Sequence, residues 1–231
     1  MEKLKIDLKK ISKEEINAIV DFFNRGKVVV YPTDTIYGLG CRADDAEVIS
    51  KIIKIKKREK RKPLLVLVDS IKMVKKYCYV SKWQEKVLRG VWLNKIPLAP
   101  FMQRGVRGRR VTVVLKSRKN SPYPPFTKGA LSKKLTGGGD GLAVRLPKND
   151  FLIKIIKKVG VPIVSTSVNV SGEKSLTSVK NIEKKIPPTP LYTKGAKMDL
   201  SNLVVDAGTL KGRPSMVVDL RDVNNIKILR K

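Results

Sequence analysis

The clearest signal in the chain is an apolar periodicity that switches between helical and extended spacing. Ser12-Lys13-Glu14-Glu15 forms a capping-box pattern. Ile16, Ile19, Val20 and Phe23 follow on one helical face, and Asn24-Arg25-Gly26 stops the helix. Val28 to Tyr31 is an unbroken apolar run, predicting a buried strand that Pro32 ends. Asp44 or Asp45 caps a second helix, with Val48, Ile49, Ile52 and Ile53 inward. Leu64 to Val68 predicts another buried strand, and segments 70–77 and 82–92 read as helices. Strands are expected near 111–116 and 142–146. Asn149 or Asp150 then caps a helix that turns Leu152, Ile155, Ile156 and Val159 inward and closes at Gly160. Val161 to Val164 predicts a strand, Thr177 or Ser178 starts a short helix, and strands near 203–206, 215–219 and 226–229 complete the chain. Irregular alternation of this kind predicts an α/β or α+β fold on a mixed sheet.

Residues 93–110 break the pattern. They hold two prolines, two glycines and four arginines with little periodicity, and read as an irregular basic loop or insertion. No internal repeat or low-complexity linker divides the 231 residues, so one domain spanning 1–231 is expected.

Composition narrows the chemistry. Histidine is absent, which excludes a Ser-His-Asp triad, a Cys-His pair and any histidine-ligated zinc. The two cysteines, Cys41 and Cys78, make neither a disulfide framework nor a zinc site. No apolar run approaches a membrane span, and the first residues lack a signal-peptide core, so a cytoplasmic location is expected with no membrane partner. Lys and Arg total 50 against 20 Asp and Glu, a formal charge of +30. That excess suits nucleotide, nucleic acid or anionic lipid, or simply a heavily solvated surface.

Five segments hold candidate chemistry, each with a plainer structural reading beside it. Tyr31-Pro-Thr-Asp-Thr-Ile-Tyr-Gly-Leu-Gly40 ends a strand in hydroxyls and glycines, which would line a pocket beyond the strand end and let backbone approach a ligand, or else merely satisfy a turn. Lys56 to Pro63 continues a stretch with eight basic residues in 51–62, more than a helix C-terminus requires; it reads as a polyphosphate site or a solvated basic face. A glycine-rich turn at 137–141 leads into a strand delivering Arg145, a charge that needs a partner after an apolar strand. Ser165-Thr-Ser-Val-Asn-Val-Ser-Gly172 clusters hydroxyls and an amide after the predicted strand 161–164, fit for phosphate or carboxylate oxygens or for a serine-rich loop. Gly212-Arg-Pro-Ser-Met-Val-Val-Asp219 again sets a hydroxyl beside an arginine at a strand start.

The order and spacing of these segments resemble the YrdC-like family over roughly residues 10–230. The resemblance implies a YrdC-like twisted mixed sheet with flanking helices around a basic concave cavity. It also implies synthesis of L-threonylcarbamoyladenylate from L-threonine, bicarbonate and ATP, with release of pyrophosphate and with Mg2+ accompanying the ATP. A downstream complex would then transfer the threonylcarbamoyl group to tRNA. Position by position, Thr33, Thr35, Arg145, Ser165 and Ser215 are implied around threonine. Lys56, Arg58, Lys62, Ser167, Asn169, Ser175 and Arg230 are implied around ATP, and no side chain is implied as a nucleophile. Four positions depart from the family pattern: Leu67 replaces a histidine, Gly108–Thr112 a proline-glycine turn, Gly141 a hydroxyl and Met216 a threonine. The chain ends shortly after Arg230, as expected of the short form without the extra C-terminal domain. The departures and the charge keep a second reading open, a relative that binds tRNA, double-stranded RNA or the ribosome without synthesis. A carbamoyl-phosphate-handling paralogue ranks third.

Overall fold

The computed structural model describes residues 2–57, 59, 62–93, 110–118, 131–169, 175–180, 182, 192–193, 196–197 and 203–230. Helix α1 (Lys13–Asn24) begins as its sequence dictates: Ser12 Oγ accepts from the Glu15 amide at 3.0 Å and the Ser12 amide donates to the Glu15 carboxylate at 2.8 Å. Helix α2 (Ala46–Ile55) is capped by Asp45, which accepts from the Glu47 and Val48 amides. Asp44 is engaged instead by the fork of Arg42, at 2.7 and 3.0 Å. Helices α3 (Ile71–Tyr77) and α4 (Lys82–Leu93) follow. Helix α5 (Asp150–Val159) is capped by Asn149 and closed by Gly160 at φ +78°.

The strands are β1 (Glu2–Lys5), β2 (Val29–Tyr31), β3 (Gly38–Gly40), β4 (Leu65–Leu67), β5 (Val111–Lys116), β6 (Gly141–Arg145), β7 (Ile163–Ser167), β8 (Tyr192–Thr193), β9 (Ala196–Lys197), β10 (Leu203–Asp206), β11 (Met216–Asp219) and β12 (Lys227–Arg230). Ten form one mixed sheet in the order β1-β10-β2-β3-β7-β4-β6-β5-β11-β12, while β8 and β9 pair separately. The central pairs β4/β6 and β5/β11 are parallel, and β3/β7, β7/β4 and β5/β6 are antiparallel.

Three sequence expectations change. β1 was not anticipated, because Glu2-Lys3-Leu4-Lys5 is a mostly exposed edge with no apolar run. Gly38 to Gly40 form strand β3 between β2 and β7 rather than a turn, and Gly38 still lines the cavity described below. A Cβ on Gly40 would sit 1.9 Å from the Val164 carbonyl oxygen and 2.9 Å from Tyr31 Oη, so the bare backbone is needed for the neighbouring strand. Finally, β7 runs to Ser167, so Ser165, Thr166 and Ser167 belong to the strand and not to a loop after it.

That last shift decides where the chemistry sits. In register, Val66 pairs with Val164 and Val144, and Val144 with Val113, a ladder of buried valines facing the core. The alternate positions carry Leu65 opposite Ser165 and Ala143, and Ala143 opposite Val114. By the period-two rule these share the other face with Ser167, Arg145 and Thr112.

Candidate active site

A cavity of about 350 Å3 lies across this second face. Successive strands give it alternate residues: Ser165 and Ser167 from β7, Ala143 and Arg145 from β6, Thr112 and Val114 from β5, then Val217 from β11 with Ser215 just before that strand. Thr33, Thr35 and Tyr37 line it from the turn between β2 and β3, and Ser175 and Arg230 close the rim. The sequence suggested a pocket beyond strand ends. The structure places it over the sheet face instead, because alternate positions on that side carry Ser165, Ser167, Arg145 and Thr112 among Leu65, Ala143, Val114 and Val217, which gives the floor polar groups between apolar ones. The described lining has two guanidinium groups and many hydroxyls but no carboxylate.

The hydroxyl protons near Arg145 can be assigned by counting. Thr33 Oγ1 donates its one proton to the Ile36 carbonyl at 2.7 Å and accepts the Thr35 amide at 3.0 Å. It lies 2.8 Å from Thr35 Oγ1, so Thr35 must be the donor of that pair. Thr35 Oγ1 in turn accepts from Arg145 Nη1 at 3.2 Å. What Thr35 has left for a ligand is a lone pair, suited to an ammonium, amide N–H or hydroxyl and not to a carboxylate. The anion partner is Arg145 itself, whose side chain is only 4% exposed. Burial works against its charge and Asp34, 3.3 Å away, offsets part of that penalty.

At the far end of β7, Ser167 Oγ donates to Asn169 Oδ1 at 2.5 Å. Lys56 reaches the same place from below. Its ammonium donates to the Ser167 carbonyl at 2.6 Å, the Asn169 carbonyl at 2.8 Å and Asn169 Oδ1 at 3.1 Å. Lys56 is just 2% exposed and does not line the cavity. Expected among phosphate ligands, it is turned inward and fixes the strand end that bears Ser167.

On the opposite wall, Ser215 Oγ and Thr112 Oγ1 lie 2.8 Å apart. Arg230 donates twice to the Ser215 carbonyl, at 2.6 and 2.9 Å, and once to its hydroxyl at 3.1 Å. Segment 207–214 passes over the Thr35 turn. Tyr37 Oη donates to the Gly208 carbonyl and accepts the Ala207 amide. A Cβ on Gly212 would lie 1.9 Å from the Thr35 carbonyl oxygen.

Of the residues singled out in the sequence, Thr33, Thr35, Arg145, Ser165, Ser167, Ser175, Ser215 and Arg230 therefore meet around one cavity. Asn169 stands behind Ser167. Lys62 is exposed, pairs with Glu59 at 2.7 Å and does not line the cavity. Arg58 and residues 94–109 of the basic segment lie outside the described residues. Sequence reasoning missed Asp34, Thr112 and Tyr37. Asp34 had a readable signal, since an arginine buried at a strand end requires a carboxylate, but nothing in the spacing said which one. Of the departures, Leu67 is buried on the site's face opposite Arg145 and does not line the cavity. Met216 is buried between the lining residues Ser215 and Val217. Gly141 makes room for Val114 and for Arg221, which ties Asp140 to Asp219.

Among the described residues, no cluster of Cys, Asp or Glu is placed to hold a metal ion, and no helix is long and apolar enough to cross a membrane.

Residues 21–231 match the family model Sua5_yciO_yrdC, described as telomere recombination. A threonylcarbamoyl-AMP synthase of Pseudoalteromonas translucida is 29% identical over 167 residues, covering 71% of this chain and 76% of its own. Among solved structures, Pyrococcus abyssi Sua5 in complex with L-threonine superposes with a TM-score of 0.70 at 24% identity, over 95% of this chain and 54% of its own. The chain thus spans about half the length of that protein. Escherichia coli YciO superposes with a TM-score of 0.71 at 20% identity, over all of this chain and 94% of its own, a likeness of fold.

Proposed function

The chain belongs to the Sua5/YciO/YrdC family, and from that premise we propose that it synthesises threonylcarbamoyl-AMP, a nucleotidyl transfer from ATP to N-carboxy-L-threonine. The observation that carries the proposal is the pairing of Arg145 with Thr35 at the floor of the cavity. One offers a guanidinium to a carboxylate and the other a lone pair to an N–H or O–H donor, which is the complement an α-amino acid needs. Similarity to named threonylcarbamoyl-AMP synthases supports the same reading.

The chemistry asks little of side-chain nucleophiles. Threonine and bicarbonate give the carbamate and water. A carbamate oxygen attacks the α-phosphorus, the bond to the β-phosphate oxygen breaks, and pyrophosphate leaves. The protein's part is to hold two anions together and offset their charge, both large contributions to rate. Arg145 and Thr35 hold the amino acid. Ser215, braced by Thr112 and Arg230, borders it on the β11 side. Ser165 lies beneath it, and Ser167, Asn169 and Ser175 face the nucleotide. Lys56 acts by holding the Ser167–Asn169 backbone. Arg58 and Lys62 supply further charge to the phosphates, and Arg230 reaches the ATP. Since the described cavity lining has no carboxylate, Mg2+ would arrive on the ATP phosphates and keep most of its waters, where it offsets phosphate charge.

The excess of 50 basic over 20 acidic residues supports a negatively charged partner, and we place tRNA and a downstream threonylcarbamoyl-transfer complex in that role, in the cytoplasm. The deciding assay is pyrophosphate release by the purified protein with ATP, bicarbonate and labelled L-threonine. Threonine-dependent release with label recovered in an adenylate is expected, and its absence across magnesium and salt concentrations would refute the synthase reading.

A further inference from the structure

We infer that Asp34 is a positioning residue that aims the Arg145 guanidinium into the cavity and ties the start of β5 to it through Arg110. The inference rests on the synthase reading for its kinetic consequence, though not for its structural one. The Asp34 side chain is 3% exposed and does not line the cavity, so it can act only through other groups. Oδ2 accepts the Lys148 amide at 3.0 Å, which anchors the carboxylate to backbone just past β6. The same oxygen lies 2.8 Å from Arg110 Nε, and Oδ1 lies 3.3 Å from Arg145 Nη2. One carboxylate thus sits against two guanidinium groups. Arg145 is gripped on one side by Asp34 and on the other by Thr35.

The charge balance of the cluster suits a further anion. The cluster holds two positive charges against one negative, leaving one to be matched from the cavity side, as an amino-acid carboxylate would. Asp34 Oδ1, Arg110 Nε and Arg145 Nε are also buried without an aligned hydrogen bond. The two ion pairs are therefore held by charge and proximity more than by aligned hydrogen bonds. Arg110 extends the hold to the far wall, because its carbonyl accepts the Met216 amide at 2.9 Å, next to the lining residue Ser215. The carboxylate so connects the β2–β3 turn, the end of β6 and the start of β5, the three places that deliver Thr35, Arg145 and Thr112.

Asp34→Asn tests this, since its amide oxygen can still accept the Lys148 amide while the charge is gone. The expected result is a rise of about tenfold in KM for L-threonine with KM for ATP nearly unchanged, because a displaced guanidinium misplaces one substrate only. The Arg145 Nε–Hε resonance, assigned by its loss in Arg145→Lys, should shift and broaden in Asp34→Asn with no substrate added. A lowered melting temperature with KM for threonine and the Arg145 resonance both unmoved would overturn the inference. Should Asp34→Asn not fold, Arg110→Gln carries the test from a more exposed position. It should move the same resonance and raise KM for threonine about threefold by loosening the carboxylate that aims Arg145, and no change in either would equally overturn the proposal. If the wild type shows no threonine-dependent pyrophosphate release, the synthase reading fails while the resonance still decides whether Asp34 holds Arg145.

Discussion

Nη1 of Arg145 donates to Oγ1 of Thr35 at 3.2 Å, joining the end of β6 to a turn 110 residues earlier in the chain. Because Thr35 gives its own proton to Thr33, this contact fixes both the direction of the hydroxyl and the pose of the guanidinium. Thr35→Val keeps the shape and removes the acceptor, leaving a buried charged donor short of a partner. A loss of about 1–3 kcal/mol in stability is expected, together with a raised KM for L-threonine. Thr35→Ser restores the oxygen and should recover most of both. Urea titrations and threonine-dependent pyrophosphate release check the pair, and a Thr35→Val protein that behaves as wild type while Thr35→Ser is impaired would show that the methyl group and not the hydroxyl matters.

Lys56 gives a sharper separation of roles. If its ammonium serves the Ser167 and Asn169 backbone, Lys56→Met should destabilise the protein by about 2–4 kcal/mol with no nucleotide present, as two carbonyls and an amide oxygen lose a charged donor while the cost of burying the charge is relieved. If its main role were at the phosphates, stability would hold and KM for ATP alone would rise. Denaturant unfolding without ligand, set beside ATP kinetics, distinguishes these outcomes.

Lys56 also shows how far the sequence could be read. Eight basic residues within 51–62 marked the segment as cationic, but charge density has no direction, and the ammonium that turns inward looks no different from its exposed neighbours. The helices were legible because caps such as Ser12 and Asn149 act locally and their apolar faces repeat every turn. Central strands were legible because burial on both faces leaves unbroken apolar runs. β1 and β3 were not, since an exposed edge and a three-residue Gly-Leu-Gly strand owe their conformation to partners distant in the chain. Most of the cavity residues announced themselves as hydroxyls or arginine within apolar stretches. Their gathering on one face followed from register, and the hold of Asp34 on Arg145 followed from a turn-to-strand approach that no local pattern encodes.

Two glycines separate damage to the sheet from damage to the site. Gly40→Ala would drive a methyl to 1.9 Å from the Val164 carbonyl between β3 and β7, where neither strand can retreat without breaking its ladder. Loss of more than about 3 kcal/mol or failure to fold is expected. Gly212→Ala makes an equally close approach to the Thr35 carbonyl from a partly exposed segment that can move away. Stability should fall by about 1 kcal/mol or less, while KM for threonine rises as Thr35 or its cover shifts. Circular-dichroism melts and threonine kinetics on both variants test this, and a Gly212→Ala protein with unaltered KM would show that segment 207–214 has no bearing on the Thr35 pose.

The two buried thiols should make stability fall as pH rises into the alkaline range. Burial pushes the Cys78 thiol up to about 12, with Arg118 opposing only in part, and raises Cys41 well above the usual thiol range. An unfolded cysteine ionises near about 8.5. Between that value and the folded one the native state keeps protons that the unfolded state has released, so stability must fall as pH rises. The contribution is complete below pH of about 8.5 and is lost progressively toward 12, at up to about 1.4 kcal/mol per pH unit for each thiol. Burial also raises Tyr31, Tyr37 and Tyr77, which steepens the decline above pH of about 10. Cys78→Ala should lower stability at pH 8 through the space it leaves, yet flatten the slope between pH 9 and 11. Denaturant unfolding at pH 8, 9, 10 and 11 on wild type and variant measures that slope, and parallel curves would mean that Cys78 is not held protonated by its surroundings.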